Sequence, residues 1–130
     1  MGLDMYLKGD KFTPTDDVKH VRQKVDGYDV ESLSLDLGYW RKHWALHNYI
    51  ADHHNPNDDY KVELESASLR DIADAVEQGR LPAVEHANEI DAYYREPDQV
   101  ANTAKVLRDA ADWNDRDDGF WRTVEYYGSW

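Results

Sequence analysis

Two short stretches at opposite ends of the chain constrain its fold more than anything between them. In "LDMYLK", Leu3, Met5 and Leu7 alternate with Asp4, Tyr6 and Lys8, the period-two pattern of a half-buried strand. "FWRTVEYYGSW" reads as a final strand ending in Trp130. Each is too short to bury an apolar face alone, so residues 3–8 and 119–127 are expected in one sheet.

Between them, "HVRQKVDGYDV" alternates through Val21, Gln23 and Val25 and resumes at Tyr28 and Val30. The intervening Asp26-Gly27 is the two-residue link of a type I′ hairpin, expected to flank the terminal strands. A helix is read from a cap at Asp36 to about Ala51, ended by "DHHNPNDD", and "DYKVEL" (59–64) is a short strand. Ser68 and Asp71 have capping-box spacing, and Leu69, Ile72, Ala73 and Val76 make one helical face closed by Gly79. Val84, Ala87, Asp91 and Tyr94 form a weaker helical pattern. Pro97 opens a last helix carrying Val100, Ala104, Leu107 and Ala111. The reading is one α+β domain, residues 1–130: an antiparallel sheet of about four strands, both termini included, with three to four helices packed against it.

The chain carries 27 acidic and 15 basic residues, a net charge of −12, and no cysteine. Such a surface repels nucleic acid and anionic membranes, and disulfide or thiolate chemistry is excluded. No apolar run approaches the roughly 20 residues of a membrane span, and the start of the chain lacks a signal-peptide layout. The expected location is cytoplasmic.

Chemistry concentrates in "GYWRKHWALHNYIA" (38–51). On a helical wheel Tyr39, Trp40, His43, Trp44, His47, Ile50 and Ala51 share one broad face, with Arg41 and Asn48 opposite. Two readings stay open: a core helix packed through its rings, or a pocket in which rings stack on a base while Arg or His holds phosphate. His43 and His47 lack the intervening Glu of a metalloprotease helix, and adjacent His53 and His54 point apart, so no metal and no cofactor are expected. Phosphate-loop, dinucleotide-fold, nucleophile-elbow, zinc-ribbon and calcium-loop patterns are absent from the sequence. Residues 66–118 hold 13 acidic and six basic side chains. Such a face is either merely solvated or a phosphate mimic that occupies a basic groove on another protein.

The opening "MGLDMYL", "YWRK" with His47 five residues later, "LP" at 81–82, "DAYY" at 91–94 and the closing "EYYGSW" come in an order that resembles a family of small phage and prophage proteins. Its members begin MGLDMYL or MCLDMYL, carry a YWRKANAIH-type helix and end in a Tyr-Tyr-x-Ser-Trp tail. The resemblance implies a phage accessory protein acting in the host cytoplasm. Carried over by position are Tyr39, Trp40, Arg41, Lys42 and His47, with Tyr126, Tyr127, Ser129 and Trp130. His43 and Trp44 depart from the pattern, which has Ala and Asn there.

The expectation that follows is a host-interference protein, of anti-defence type, that binds a small nucleotide-derived signal without catalysis. Its ligand residues would be Tyr39, Trp40, Arg41, Lys42, His47, Tyr126 and Trp130, and a ligand shared between subunits of a homo-oligomer is one arrangement. The alternatives are an acidic decoy that inhibits a host protein through Asp71, Asp74, Glu77, Asp109 and Asp112, and a small hydrolase or metal-dependent enzyme. Trp130 is expected to dock on Trp40 and Trp44, closing one side of the pocket.

Overall fold

In the computed structural model, which describes residues 2–12, 24–85 and 88–130, the terminal strands lie side by side at the centre of a four-stranded antiparallel sheet. β1 (Asp4–Phe12) pairs on one side with β4 (Ser32–Arg41) and on the other with β6 (Trp121–Ser129). β5 (Lys61–Glu63) pairs with β6, so the order is β4-β1-β6-β5. Four helices complete the α+β fold: α1 (Trp44–His54), α2 (Ser66–Glu77), α3 (Glu89–Arg95) and α4 (Pro97–Asn114).

The alternation read from "LDMYLK" sets the layering. Leu3, Met5 and Leu7 are fully buried on the helix side, where Val124 and Tyr126 of β6 meet them. α2 and α4 supply the opposing faces through Leu69, Ile72, Ala73, Val76, Ala104, Leu107 and Ala111. The predicted face of α2 is therefore the one buried. Gly79 follows that helix with φ 68°, the left-handed backbone that favours glycine. Pro97 stands in the first turn of α4, as its missing N–H allows.

Four expectations are corrected. Residues 36–41 are strand, not helix: "SLSLDLGYWR" pairs along β1, with Leu33 and Leu35 alternating and a bulge at Leu37 before Gly38 and Trp40 resume the alternation, and Gly38 fits because it lacks a Cβ. A Cβ there would stand 2.7 Å from Val106 Cγ1. The chain leaves the sheet at Lys42, with φ 56°, and His43 rather than Asp36 caps α1. The Asp26-Gly27 turn has the positive φ angles of its type, 51° and 83°, but β2 (Lys24–Val25) and β3 (Tyr28–Asp29) form a separate two-stranded ribbon. Val21 and Gln23 lie outside the described residues. Third, α2 begins at Ser66 after Glu65 without a side-chain cap, so Ser68 and Asp71 are interior positions. A true capping box occurs instead at Asn88 and Asp91 of α3. Last, Val84 lies in loop and α3 begins only at Glu89; Ala87 lies outside the described residues.

Candidate functional site

Because residues 39–41 are strand, neighbours that shared a helical wheel now face opposite sides. Trp40 turns inward, is 5% exposed and donates its indole N–H to Thr103 Oγ1 at 3.2 Å. It is a core residue that lies away from the His47–Tyr126–Trp130 cleft. Tyr39 turns outward into a row crossing the open sheet face, Tyr39–Tyr6–Tyr127–Lys61. Tyr6 stacks on Tyr127 with centroids 4.9 Å apart, and the Tyr39 hydroxyl donates to Asp4 at 2.5 Å.

His47, Tyr126 and Trp130 are brought together. α1 lays His47 against β6, and Gly128 makes the approach feasible: a Cβ there would stand 3.1 Å from the imidazole and 3.0 Å from Leu3 Cδ1. His47 Nδ1 and the Tyr126 hydroxyl share a 2.6 Å hydrogen bond whose donor depends on the imidazole tautomer. Burial pushes the His47 pKa down and the Tyr126 pKa up, so both groups are neutral near pH 7. The Trp130 indole stands edge-on to His47 at 5.2 Å and tilted to Trp44 at 6.4 Å. It docks on Trp44 as expected but not on Trp40, and it remains 65% exposed.

These rings bound a cleft of about 270 Å³ between α1 and β6, walled by Ile50, Ala51 and Val62 and rimmed by Asp58, Asp59 and Tyr60. The rim acids give its mouth negative charge. Arg41 and Lys42 stand at the same end of the sheet, with Arg41 on the open face beside Asp4, so its side chain meets the cleft only by reaching round the sheet end. Asp4 pairs with Arg41 on one side and Ser129 on the other, which sets Arg41 about 10 Å from the tail strand at normal strand spacing. Among the described residues neither cation has a carboxylate partner.

A second, larger cavity was not foreseen. It measures about 520 Å³ and lies between the start of α1, the 79–84 loop and α3, lined by Val76, Leu81, Pro82, Val84 and Val100 with His43 and Tyr94. His43 is 4% exposed and stacks on Tyr94 with centroids 4.0 Å apart and planes 9° from parallel. Burial lowers its pKa from 6.5 to about 4. In the sequence its only signals were Leu81-Pro82 and a histidine that departs from the phage-type motif.

The acids proposed as a decoy face are engaged with cations. Arg108 pairs with Asp74 at 2.6 Å and with Glu77, Arg70 with Asp112 at 3.1 Å and Asp115 at 2.7 Å, and Lys105 with Asp109 at 2.5 Å. Asp71 accepts from the Tyr49 hydroxyl and lies beside His54, each at 2.8 Å. Partial burial works to raise its pKa, and these hydrogen bonds outweigh that and hold it low.

Among the described residues no three His, Asp or Glu side chains cluster to hold a metal ion, and no helix is long and apolar enough to cross a membrane. No family model, curated protein or solved structure matches the chain, so the phage-type resemblance rests on the motif residues themselves.

Proposed function

We propose that the protein is a non-catalytic binder of a small nucleotide-like molecule, with the heterocycle in the His47–Tyr126–Trp130 cleft and the phosphate toward Arg41 and Lys42. The observation that carries this reading is the exposed Trp130 indole held over a neutral His–Tyr pair. An open ring face offers stacking worth roughly 1–3 kcal/mol per base, and the pair beneath offers one donor and one acceptor. The rim acids Asp58 and Asp59 favour a base edge rich in N–H groups and repel phosphate, and this reading puts the anion toward Arg41 and Lys42, which have no carboxylate partner among the described residues. With this geometry the ligand of a phage accessory protein would be a purine-type signal sequestered from its host receptor.

The test is Trp fluorescence and calorimetry with adenosine, guanosine, their monophosphates and cyclic purine dinucleotides. Trp130→Ala should abolish binding of every member, whereas Arg41→Ala should weaken the nucleotides about tenfold and leave the nucleosides unchanged. Absence of saturable binding across the panel up to millimolar concentration would sink the proposal. The decoy reading is weakened by the ion pairs just described, since carboxylates already held by Arg70, Arg108 and Lys105 are poor phosphate mimics. Charge reversal along α2 and α4 that abolished host-protein capture in a pull-down would restore it.

A further inference from the structure

We infer that the cavity beneath His43 is a second binding site, one that takes a small apolar molecule bearing a neutral carbonyl or amide oxygen. Its volume, about 520 Å³, falls in the range of cavities that enclose small ligands. Its wall is aliphatic, through Val76, Leu81, Pro82, Val84 and Val100, and burying such surface drives an apolar ligand inward.

One polar group directs the ligand. His43 caps α1 by accepting the Leu46 N–H on Nδ1 at 3.4 Å, which places the ring proton on Nε2. Among the described residues nothing accepts from Nε2, and the atom is not sealed from solvent. The space onto which His43 opens is this cavity. Because the donor faces the cavity rather than being sealed, an acceptor on an incoming ligand exchanges for water there, and the bond strengthens as apolar groups fill the space around it. Stacking on Tyr94 fixes the imidazole plane, and the Tyr94 hydroxyl is itself tied to the Arg41 backbone, donating to its carbonyl at 2.9 Å. The donor is therefore pre-oriented.

The cavity offers an anion no dedicated cation. Of the charged residues that line it, Glu77 is paired with Arg108, and the Nε of Arg95 already donates to the Asp91 carbonyl at 3.3 Å. Asp91 accepts the Asn88 N–H at 2.9 Å to cap α3, and burying a ligand carboxylate among the aliphatic side chains costs far more than burying a neutral amide. An acyl amide, ester or lactone fits where a fatty acid does not.

Calorimetry and amide-resolved NMR with octanamide and octanoate test the assignment. Octanamide should bind saturably, with shifts confined to the 79–84 loop, α3 and the start of α1, and octanoate should bind at least tenfold more weakly. Val100→Trp should abolish binding by filling the cavity. His43→Asn keeps a cap acceptor but loses the directed donor, and should weaken binding about tenfold. Leu81→Trp, on the loop, serves as a second filled variant if Val100→Trp melts below the parent. Lack of saturation by octanamide, binding that survives both filled variants, or a preference for octanoate would each overturn the inference.

Discussion

Protonating His43 should unfold this protein from a position where most of its many acids cannot interfere. The pKa falls from 6.5 in the unfolded chain to about 4 in the fold because burial disfavours the imidazolium. Above pH 6.5 the residue is neutral in both states and contributes no pH dependence. As the pH drops through 6.5 the unfolded chain takes up a proton that the folded one refuses, so stability is lost, and the loss levels off below about pH 4. At roughly 1.4 kcal/mol per pKa unit the full penalty is about 3 kcal/mol, of which about 2 kcal/mol is present at pH 5. That is a large share of the margin of a small domain.

Urea unfolding of the parent and of His43→Asn at pH 7.5, 6 and 5 isolates the effect. Glu77, Asp91 and Arg95, which line the same cavity, are common to both proteins and cancel in the difference. The stability gap between parent and variant should shift by about 2 kcal/mol in favour of the variant between pH 7.5 and 5. Parallel curves, differing by a constant within about 0.5 kcal/mol, would show that His43 is not held neutral and would refute the argument from burial.

Three further outcomes follow. Tyr126→Phe leaves His47 Nδ1 without its 2.6 Å partner and should cost about 1–2 kcal/mol in urea unfolding. Gly128→Ala drives a Cβ into Leu3 and the His47 ring, and should cost about 1–3 kcal/mol while deforming the cleft, read as lost ligand quenching of Trp fluorescence. Trp130→Ala should change the melting temperature by no more than about 2 °C, because the indole is 65% exposed, yet abolish that quenching. A drop of many degrees would instead make the tail a structural latch, as the sequence suggested.

Much of the fold was legible because its strongest patterns agree with one another. Leu3, Met5 and Leu7 alternate and pair with a final strand, and Leu69 to Val76 repeat at helical spacing and form the α2 face. The segment 36–44 was misread because it satisfies two periods at once. Its rings recur at i and i+4, while Leu33, Leu35 and Leu37 alternate, and the deciding event is a positive φ at Lys42, which no side-chain preference announces. A histidine that caps a helix carries no sequence signature either. That boundary decides the site. It sends Trp40 into the core and Tyr39 onto the open sheet face, leaving His47 to meet Tyr126 and Trp130. The tail was expected to fold back onto Trp40 and Trp44; it meets Trp44 and His47, and the contact of His47 with Tyr126 was not specified. The His43 cavity was not anticipated, because it is formed by a loop and a short helix whose apolar residues show no period.

The central pairing of β1 with β6 also governs when the protein can take shape. Asp4 and Ser129 become sheet neighbours although they stand at opposite ends of the sequence, so the ladder closes only after residues 121–129 are available. Before that, β1 can pair with β4, and α2 can pack on α4, but both assemblies present uncovered Leu and Val side chains. Pairings between such distant segments are slow to form because the closing loop must be ordered first. During synthesis the chain must therefore pass through an interval in which half its core is built and exposed. A translational pause just before residue 121 would lengthen that interval and should raise dependence on chaperones, and pairing of the finished β6 strand with β1 should end it.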